Sequence, residues 1–419
     1  MLLRAAPRQR TERSLLGPPG VPGMIRTLDD LEADGTALGV RIDINSPLSS
    51  DGLADDARLR AHVDTVAELC RRDARVALLA HQGRPGGEEF SDLERHAERL
   101  DELLDAPVEY CDSTFSAEAR TRIDKLDPGR AVLLENTRFY SEEYMSFEPS
   151  TAAETYLVSR LAPALDAYVN DAFATAHRSQ PSVVGFPERL PAYAGRVMER
   201  ELDVLGNIES SPEPRVYVLG GAKVDDSIEV ARSVLERGLA GSVLTAGIVG
   251  NAFLLADGVS LGAASAAVVN ERSHEAVKQA GDLLDDFSHR IYMPRDVAVE
   301  NDAGERVEHD LEDLPASTPA MDIGARTVAA YANILDDAGT AILNGPAGVF
   351  EDDRFETGTL ELYTSATRAE QSIVGGGDTA SALRKLGILE DFDHVSTGGG
   401  AALNMLTGET LVGVEALRE

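Results

Sequence analysis

Short apolar runs recur along the chain, and each is followed by a glycine or polar turn and then by an amphipathic stretch. Runs that are apolar throughout are typical of strands buried on both faces of a parallel sheet, so the pattern predicts strands that alternate with helices. One predicted helix, Asp55 to Arg71, carries its apolar residues on a single stripe: Leu59, Val63, Val66 and Cys70. The predicted strands are Leu38–Ile44, Val76–Ala80, Ala131–Leu134, Ala167–Val169, Val216–Leu219, Ser242–Ala246, Ile291–Met293, Thr340–Leu343, Ser372–Val374 and His394–Ser396.

The length of the chain predicts more than one domain. Its 419 residues exceed what one ordinary core supports, so we expect two doubly wound α/β domains, each with a parallel sheet, that face a cleft. The predicted domains are residues 25–186 and 215–405, joined by a connector or hinge at 187–214 that contains a helix-like stretch from Pro187 to Leu205. Residues 406–419 are expected to pack back on the first domain. Residues 1–24 contain GPPGVPG and are interpreted as a disordered leader, or as a start assigned too early with Met24 as the first residue.

The charge of the chain indicates the kind of environment in which it works and argues against one class of partner. With 72 acidic and 39 basic residues the net charge is −33, and only four of the basic residues are lysines. Acid spread along the chain indicates a salt-rich cytoplasm, where screening makes the self-repulsion tolerable; the alternative is an ordinary acidic cytosolic protein. The acidity argues against nucleic-acid binding. No apolar run approaches the ~20 residues of a membrane span, and two cysteines make no disulfide framework.

Polar and charged residues follow the predicted strands of the first half, where ligands bind in open parallel sheets. A further arginine, Arg58, begins the first helix. Arginine forks bind phosphate and carboxylate groups bidentately, so the set predicts a site for a multiply charged anion. The alternative is that each arginine pairs with one of the many surface acids. The residues after the strands are Asp43, Asn45, His81, Arg84, Arg138, His177 and Arg178.

Glycine turns follow the predicted strands of the second half. They are GGAK ending at Lys223, AGIVGN (246–251), NGPAGVFE (344–351), GGGDT (375–379) and TGGGA (397–401). Glycines that open helices let backbone N–H groups approach phosphate oxygens, so these turns predict a nucleotide site. The absence of GxxxxGK[ST] excludes a P-loop NTPase. GGGDTA is a poor dinucleotide turn, because it falls late and lacks an acidic residue ~20 positions on.

The motifs resemble those of the phosphoglycerate kinase family, in the family's order. They are VRIDINSPL, HQGRP, LLENTRFY, NDAFATAHR, GGAKV, NGPAGVFE, GGGDTA and HVSTGGGAAL, and the resemblance spans roughly residues 37 to 410. It implies an enzyme that transfers a phosphoryl group between 1,3-bisphosphoglycerate and Mg-ADP, giving 3-phosphoglycerate and ATP. Together with the composition, it indicates an archaeal member of haloarchaeal type, cytoplasmic and monomeric.

The resemblance also implies roles for individual residues. In the first half, Asp43 and Asn45 would orient the glycerate, the group His81, Arg84, Arg138 and Arg178 would hold its non-reacting phosphate, with His177 beside them, and Arg58 would face the reacting carboxyl group. In the second half, Lys223 would accompany the transferring phosphoryl. The nucleotide would be held by Asn344, Glu351, Gly376, Gly377 and Thr379, its magnesium ion by Asp378, and the charge in flight by the turn around Gly399.

Two stretches of the sequence depart from the family pattern. Ser227 stands where many family members have a second lysine, and the TPAMDIG stretch lacks the usual glycine-containing adenine wall, so no adenine contacts are predicted there.

Five histidines fall on polar helices or loops and are expected to be exposed and without a role: His62, His96, His274, His289 and His309.

Two other functions remain open at this point. A dinucleotide-dependent dehydrogenase would use similar glycine turns, but it needs an early GxGxxG with an acid at the end of the second strand. A catalytically inactive paralogue would retain the fold without turnover, and Ser227 leaves that alternative open. Nucleotide titration and turnover, respectively, distinguish these from a kinase.

Overall fold

The computed structural model describes residues 23–49 and 52–418, so the predicted leader, residues 1–24, lies almost wholly outside the described part of the chain. The described residues up to Asn207, together with those from Thr410 onward, form one compact unit. Ile208–Glu409 form a second unit. The division between Asn207 and Ile208 falls inside the range 187–214 that the sequence predicts for the connector.

The first unit is built on a parallel sheet. Its strands are β1 (Ala37–Arg41), β2 (Leu48–Ser49), β3 (Gly52–Leu53), β4 (Arg75–Leu79), β5 (Val108–Cys111), β6 (Ala131–Leu134), β7 (Ala167–Asn170) and β8 (Ala192–Ala194). Its helices are α1 (Ala57–Arg71), α2 (Glu94–Leu103), α3 (Ala117–Lys125), α4 (Pro149–Ala152), α5 (Tyr156–Leu161) and α6 (Arg196–Leu205). Six strands form the sheet in the order β5-β6-β4-β1-β7-β8, with every pair parallel, while β2 and β3 form a separate hairpin.

The second unit repeats this plan and adds an antiparallel sheet. Its strands are β9 (Arg215–Leu219), β10 (Ser242–Thr245), β11 (Ile291–Tyr292), β12 (Asp296–Glu300), β13 (Arg306–Asp310), β14 (Ala320–Ile323), β15 (Thr340–Asn344), β16 (Gln371–Gly375) and β17 (His394–Val395). Its helices are α7 (Val224–Glu236), α8 (Gly247–Ala256), α9 (Ala263–Arg272), α10 (Ala276–Phe287), α11 (Ala325–Asp336), α12 (Thr357–Ala366), α13 (Gly377–Leu386) and α14 (Gly400–Thr407). The parallel sheet has the order β11-β10-β9-β15-β16-β17, and β13-β12-β14 form the antiparallel sheet. A last helix, α15 (Val412–Glu415), belongs to the first unit.

The predicted fold class, two doubly wound parallel sheets, is confirmed. All ten predicted strands coincide with strands of the two parallel sheets, and β1, β6, β7 and β9 are buried at every residue, as continuous apolar runs require. The predicted first helix begins two residues later than expected, at Ala57. It directs Leu59, Val66 and Cys70 into the core, with Val63 half-buried against it.

The sequence pattern missed the strands of the antiparallel sheet and hairpin and two strands of the first parallel sheet. β5 and β13 carry polar, partly exposed residues, and β8 is three residues long at a sheet edge, so none of them has an apolar run to reveal it. The predicted helix-like stretch from Pro187 to Leu205 is therefore wrong in its first half. Residues 192–194 pair with β7 as β8, and the helix starts only at Arg196.

Each parallel sheet reverses its winding beside its first strand. β1 lies between β4 and β7, and β9 lies between β10 and β15. Such reversals open a crevice at the carboxyl ends of the two central strands, where ligands of open α/β sheets bind. Separately, no helix among the described residues is long and apolar enough to cross a membrane.

Candidate functional sites

Asp43 lies just beyond the carboxyl end of β1, in the crevice of the first unit. It is buried, its Oδ2 accepts a hydrogen bond from Arg58, and its Oδ1 lies 4.0 Å from Nε2 of His81. Burial alone would raise the pKa of Asp43, but interactions with His81 and with the guanidinium groups of Arg58 and Arg41 lower it below its usual value. The site therefore contains a fixed carboxylate inside a cationic setting.

His81 is held in one tautomer by an arginine that the sequence analysis did not single out. Arg41, fully buried in β1, donates from Nη2 to Nδ1 of His81 at 2.8 Å and from Nε to Ser182 at 3.0 Å. Because Nδ1 accepts, the ring proton is on Nε2 and points towards Asp43. Burial lowers the pKa of His81 well below its usual value, and repulsion from Arg41 adds to this effect.

The predicted arginines crowd the same crevice and repel one another. Burial, followed by repulsion from Arg178 and Arg41, lowers the pKa of Arg138 to about 10. Burial and repulsion from Arg84 lower the pKa of Arg178 as well, while Arg84 itself is exposed. An anion placed between these guanidinium groups would offset their mutual repulsion.

One buried N–H group at this site, Nε of Arg138, has no acceptor within the described chain. The ring proton of His177 is on Nδ1, because Nε2 accepts a hydrogen bond from Arg178 at 3.1 Å, and a hydrogen bond with the backbone of Ala174 opposes the lowering of the pKa of His177 by burial. A buried donor without a partner is costly, so Arg138 supports an anionic ligand as the missing acceptor.

Loops beyond β1, β4 and β6 are joined around the site by hydrogen bonds from polar side chains. Asn45 accepts from the backbone N–H of Gly83 at 2.8 Å, and Arg138 donates to the carbonyl of Gly83 at 2.6 Å. Buried Asn136 donates to the carbonyl of Gln82 at 2.8 Å. The loop that carries His81 and Arg84 is thus fixed from both sides.

The expectation of exposed histidines is wrong for two of the five. His62 and His96 are buried at 3% and 0% exposure, because each satisfies a neighbouring polar group: His62 contacts Asp43 and Asp171, and His96 contacts Gln82 at 3.1 Å. Burial lowers the pKa of His96 to about 4. His274 and His289 are exposed, and His309 is half-buried.

In the second unit, helix starts follow the sheet strands at the crevice beside β9 and β15. The helices α7, α8, α13 and α14 begin just after β9, β10, β16 and β17. Gly376 precedes α13 with a φ of 87°, and a Cβ there would lie 2.8 Å from the side-chain oxygen of Asn344. Glycine is therefore required at this position, and the N–H groups of the first turn of α13 remain open to a ligand.

A cavity of about 450 Å³ lies in this unit and brings together most of the predicted nucleotide-binding residues. Thr379 fixes its floor by accepting from the backbone N–H of Gly345 at 2.8 Å. Gly377 and Gly399 are not among the lining residues, although each lies at the start of a helix, α13 or α14. The predicted residues that line the cavity are Lys223, Asn344, Glu351, Gly376, Asp378 and Thr379.

The cavity also has lining residues that the sequence analysis missed. Ile248 and Val349 add apolar surface, and Arg272 ends α9 at the cavity. Ala320 and Met321, in the TPAMDIG stretch from which no contacts were predicted, lie in β14 and line the cavity as well. Their signal was weak, since β14 is short and pairs antiparallel outside the main sheet.

A magnesium ion carried by a nucleotide fits the donors at this cavity. Asp378 is exposed and lies 3.1 Å from Nζ of Lys223. Among residues 23–49 and 52–418, no cluster of three acidic, histidine or cysteine side chains could hold a metal ion. Mg²⁺ is commonly bound by one or two carboxylates plus substrate phosphates, which is what a single carboxylate beside helix N-termini allows.

Ser227, one of the two departures from the family pattern, lines the same cavity. It is fully buried in α7, and its hydroxyl donates to the carbonyl of Gly220 at 3.4 Å, a long hydrogen bond. Its contact is thus with the turn that precedes Lys223.

Comparisons with known proteins agree with one another. A model of the family described as phosphoglycerate kinase matches residues 28–409. The chain is 98% identical over 396 residues to a phosphoglycerate kinase of Natronomonas pharaonis, covering 94% of the chain and 100% of that protein. It is 61% identical over 398 residues to a phosphoglycerate kinase of Halobacterium salinarum, with the same coverage. The crystal structure of phosphoglycerate kinase from Pyrococcus horikoshii OT3 matches with a TM-score of 0.88 and 40% identity, covering 94% of this chain and 98% of that one.

Proposed function

The chain belongs to the phosphoglycerate kinase family, in its haloarchaeal form, and we propose that the two sites described above bind the two substrates of that family's reaction. The enzyme is a phosphotransferase with a carboxyl group as acceptor. It transfers a phosphoryl group reversibly from 1,3-bisphosphoglycerate to ADP, giving 3-phosphoglycerate and ATP, a reaction of glycolysis and gluconeogenesis.

The crevice of the first unit binds the glycerate substrate in this proposal. The observation that carries it is the cluster of mutually repelling arginines, in which Arg138 is buried and its Nε has no acceptor among the described residues. Arg84, Arg138 and Arg178 hold the non-reacting phosphate together with His81 and His177. The glycerate hydroxyl and carboxyl end lies at Asp43 and Asn45, with Arg58 at the reacting carboxyl group.

The cavity of the second unit binds ADP or ATP. Asn344 and Glu351 contact the ribose and phosphate region, and Gly376, Gly377 and Thr379 lie beside the phosphates. Asp378 reaches the magnesium ion, which supplies charge neutralisation at the phosphate oxygens when the nucleotide is bound. The apolar surface of Ile248, Ala320 and Met321 suits the base, which is the most apolar part of the ligand.

The residue types agree with transfer that needs no general base. In the ATP-consuming direction the nucleophile is a carboxylate, which is ionised at pH 7. Catalysis then consists of alignment and of neutralising the oxygens of the phosphoryl group in flight. Arg58, Lys223, and the backbone N–H groups at Gly376 and Gly399 supply that charge in the proposal.

Because the two substrates bind to different units, we expect in-line transfer to require hinge bending near residues 187–214 that excludes water. Small-angle scattering should give a smaller radius of gyration with both substrates than with neither. We further propose a cytoplasmic monomer whose partners are its substrates, with no role for nucleic acid or membrane.

ATP-dependent phosphorylation of 3-phosphoglycerate, coupled to NADH oxidation from low to multimolar KCl, tests the proposed function. We expect activity that rises with salt and is lost in Arg58→Ala, with Mg-ADP binding retained. Binding of NAD in place of Mg-ADP would favour a dehydrogenase. ADP binding without turnover at any salt concentration would favour an inactive paralogue.

A further inference from the structure

Two buried side chains that the proposed reaction does not use, His62 and Asp171, lie behind Asp43. Asp171 is fully buried just beyond β7, and His62 is on the inner face of α1. The imidazole bridges two groups far apart in sequence. Its Nε2 lies 3.0 Å from the backbone nitrogen of Asp43, and its Nδ1 lies 2.6 Å from Oδ2 of Asp171.

The donor and the acceptor of each of these two hydrogen bonds follow from the groups that take part. The backbone N–H of Asp43 can only donate, so Nε2 of His62 must accept. The proton of the neutral ring is then on Nδ1, which donates to Asp171. A second proton on the ring would set two donors against each other, so the bridge requires the neutral imidazole.

The N–H of Asp43 is the first at the end of β1 that the sheet does not satisfy. The preceding residue, Ile42, still donates to the carbonyl of Leu79 at 3.0 Å. At Asp43 the chain leaves the sheet, and His62 takes the place of the neighbouring strand. Through this bond, His62 sets the backbone from which the Asp43 carboxylate reaches Arg58 and His81.

Asp171 also binds the start of α6. Its Oδ1 accepts from the backbone N–H of Val197 at 2.8 Å. A Cβ on Gly195 would lie 2.1 Å from the same oxygen, so glycine is needed there for the carboxylate to reach the helix. Thr65 of α1 accepts from the backbone N–H of Arg196 at 3.1 Å. Two remote side chains thus cap a helix whose own N-cap residue is glycine.

We propose that His62 and Asp171 are positioning residues for the glycerate substrate: together they hold the backbone of Asp43 and tie it to the first turn of α6. The proposal rests on the proposed function, in which Asp43 contacts 3-phosphoglycerate. The helix α6 ends at Leu205, two residues before the first unit ends at Asn207. The same bridge therefore links Asp43 to the last helix before the division between the units.

The test compares the kinetics of three variants with ATP and 3-phosphoglycerate, at the KCl concentration that gives the highest wild-type activity. His62→Ala leaves the N–H of Asp43 without an acceptor. Asp171→Asn keeps the shape but presents its amide NH₂ to one of two donors, the His62 ring or the N–H of Val197. We expect each to raise KM for 3-phosphoglycerate roughly tenfold, with KM for ATP changed less than about twofold. His62→Gln can accept from Asp43 and donate to Asp171, so it should restore KM to near the wild-type value.

Cys70→Ala is the matched control, because Cys70 is buried on the same helix and packs in the hydrophobic core. It should lower thermal stability without changing KM for 3-phosphoglycerate. The proposal is overturned if His62→Ala changes that KM no more than Cys70→Ala does, if both substrates' KM values rise together, or if His62→Gln behaves like His62→Ala.

Calorimetric binding of 3-phosphoglycerate to the wild type and the variants separates this inference from the proposed function. Wild-type turnover with unchanged KM in the variants refutes the positioning role alone. Wild-type binding without turnover refutes the kinase activity, and weaker binding to His62→Ala then still supports the positioning role. A wild type that does not bind 3-phosphoglycerate refutes both.

Discussion

The two candidate sites differ in the groups that they offer to an anion. The crevice of the first unit uses guanidinium and imidazole groups, several of them buried and repelling one another. The cavity of the second unit presents helix starts and glycine turns, and the charged side chains that line it, Lys223, Asp378, Glu351 and Arg272, are exposed. Like charges that are buried together repel one another until an anion binds between them. Backbone N–H groups carry no such repulsion in the empty site, but their ability to bind an anion depends on the conformation of the main chain.

The largest effect is expected from removing one charge of the first site. Arg138→Ala should raise KM for 3-phosphoglycerate about a hundredfold, because charge-assisted hydrogen bonds to an anion are lost. KM for ATP should stay nearly constant. Thermal stability without substrate should fall little or rise, since the variant relieves repulsion with Arg178 and Arg41. Kinetics and thermal unfolding with and without 3-phosphoglycerate check both halves of the prediction.

Arg130→Ala serves as the control for this variant. Arg130 is a surface arginine that pairs with Glu109 at 3.4 Å, so its loss removes the same charge away from the site. A similar rise in KM in both variants would mean that overall charge, and not the cluster, attracts the substrate.

A smaller effect, on KM for ATP and not on KM for 3-phosphoglycerate, is expected from a backbone change in the second site. Gly376→Ala forces a side chain onto a φ of 87° and against Asn344, so KM for ATP should rise about tenfold while KM for 3-phosphoglycerate is unchanged. Gly387→Ala is the matched control, since Gly387 ends the same helix at a φ of 73° with open space around its Cβ position. Equal loss of nucleotide affinity in both variants would refute a specific role for the Gly376 turn.

The smallest effect is expected at Ser227. If backbone groups carry the phosphate binding, deleting its hydroxyl should cost little, because its one hydrogen bond is long and directed at Gly220. Ser227→Ala should change kcat and KM for ATP less than about twofold. A loss of tenfold or more would assign the hydroxyl a phosphate contact and weaken the contrast between the sites.

The sequence predicted the parts of the structure that repeat or that carry charge in a motif. Fully buried strands reveal themselves as apolar runs, and parallel order follows from their alternation with helices, so both main sheets were predictable. The residues that end β1, β4, β6 and β7 could be foreseen as one cluster for the same reason, since topology alone brings those ends to one edge.

What the sequence did not reveal depends on contacts between distant segments. Arg41 looks like an ordinary strand residue, and only the fold shows it beneath His81. His62 lies in a polar stretch of α1, and its partners are 19 and 109 residues away. Arg272 and Met321 reach the cavity through an added antiparallel sheet and a helix that periodicity does not connect with the glycine turns.

The last described residues of the chain have a consequence for its synthesis. Gly413 donates its N–H to the carbonyl of Ala176 at 2.8 Å, and a Cβ on Gly413 would meet Ala176 at 3.0 Å, directly before His177 and Arg178. A ribosome therefore releases this segment only after the entire second unit has been made. The synthesis of the crevice proposed for the glycerate thus begins first and ends last. In a nascent chain, the unit proposed to bind the nucleotide is complete before the C-terminal segment can contact the backbone next to His177.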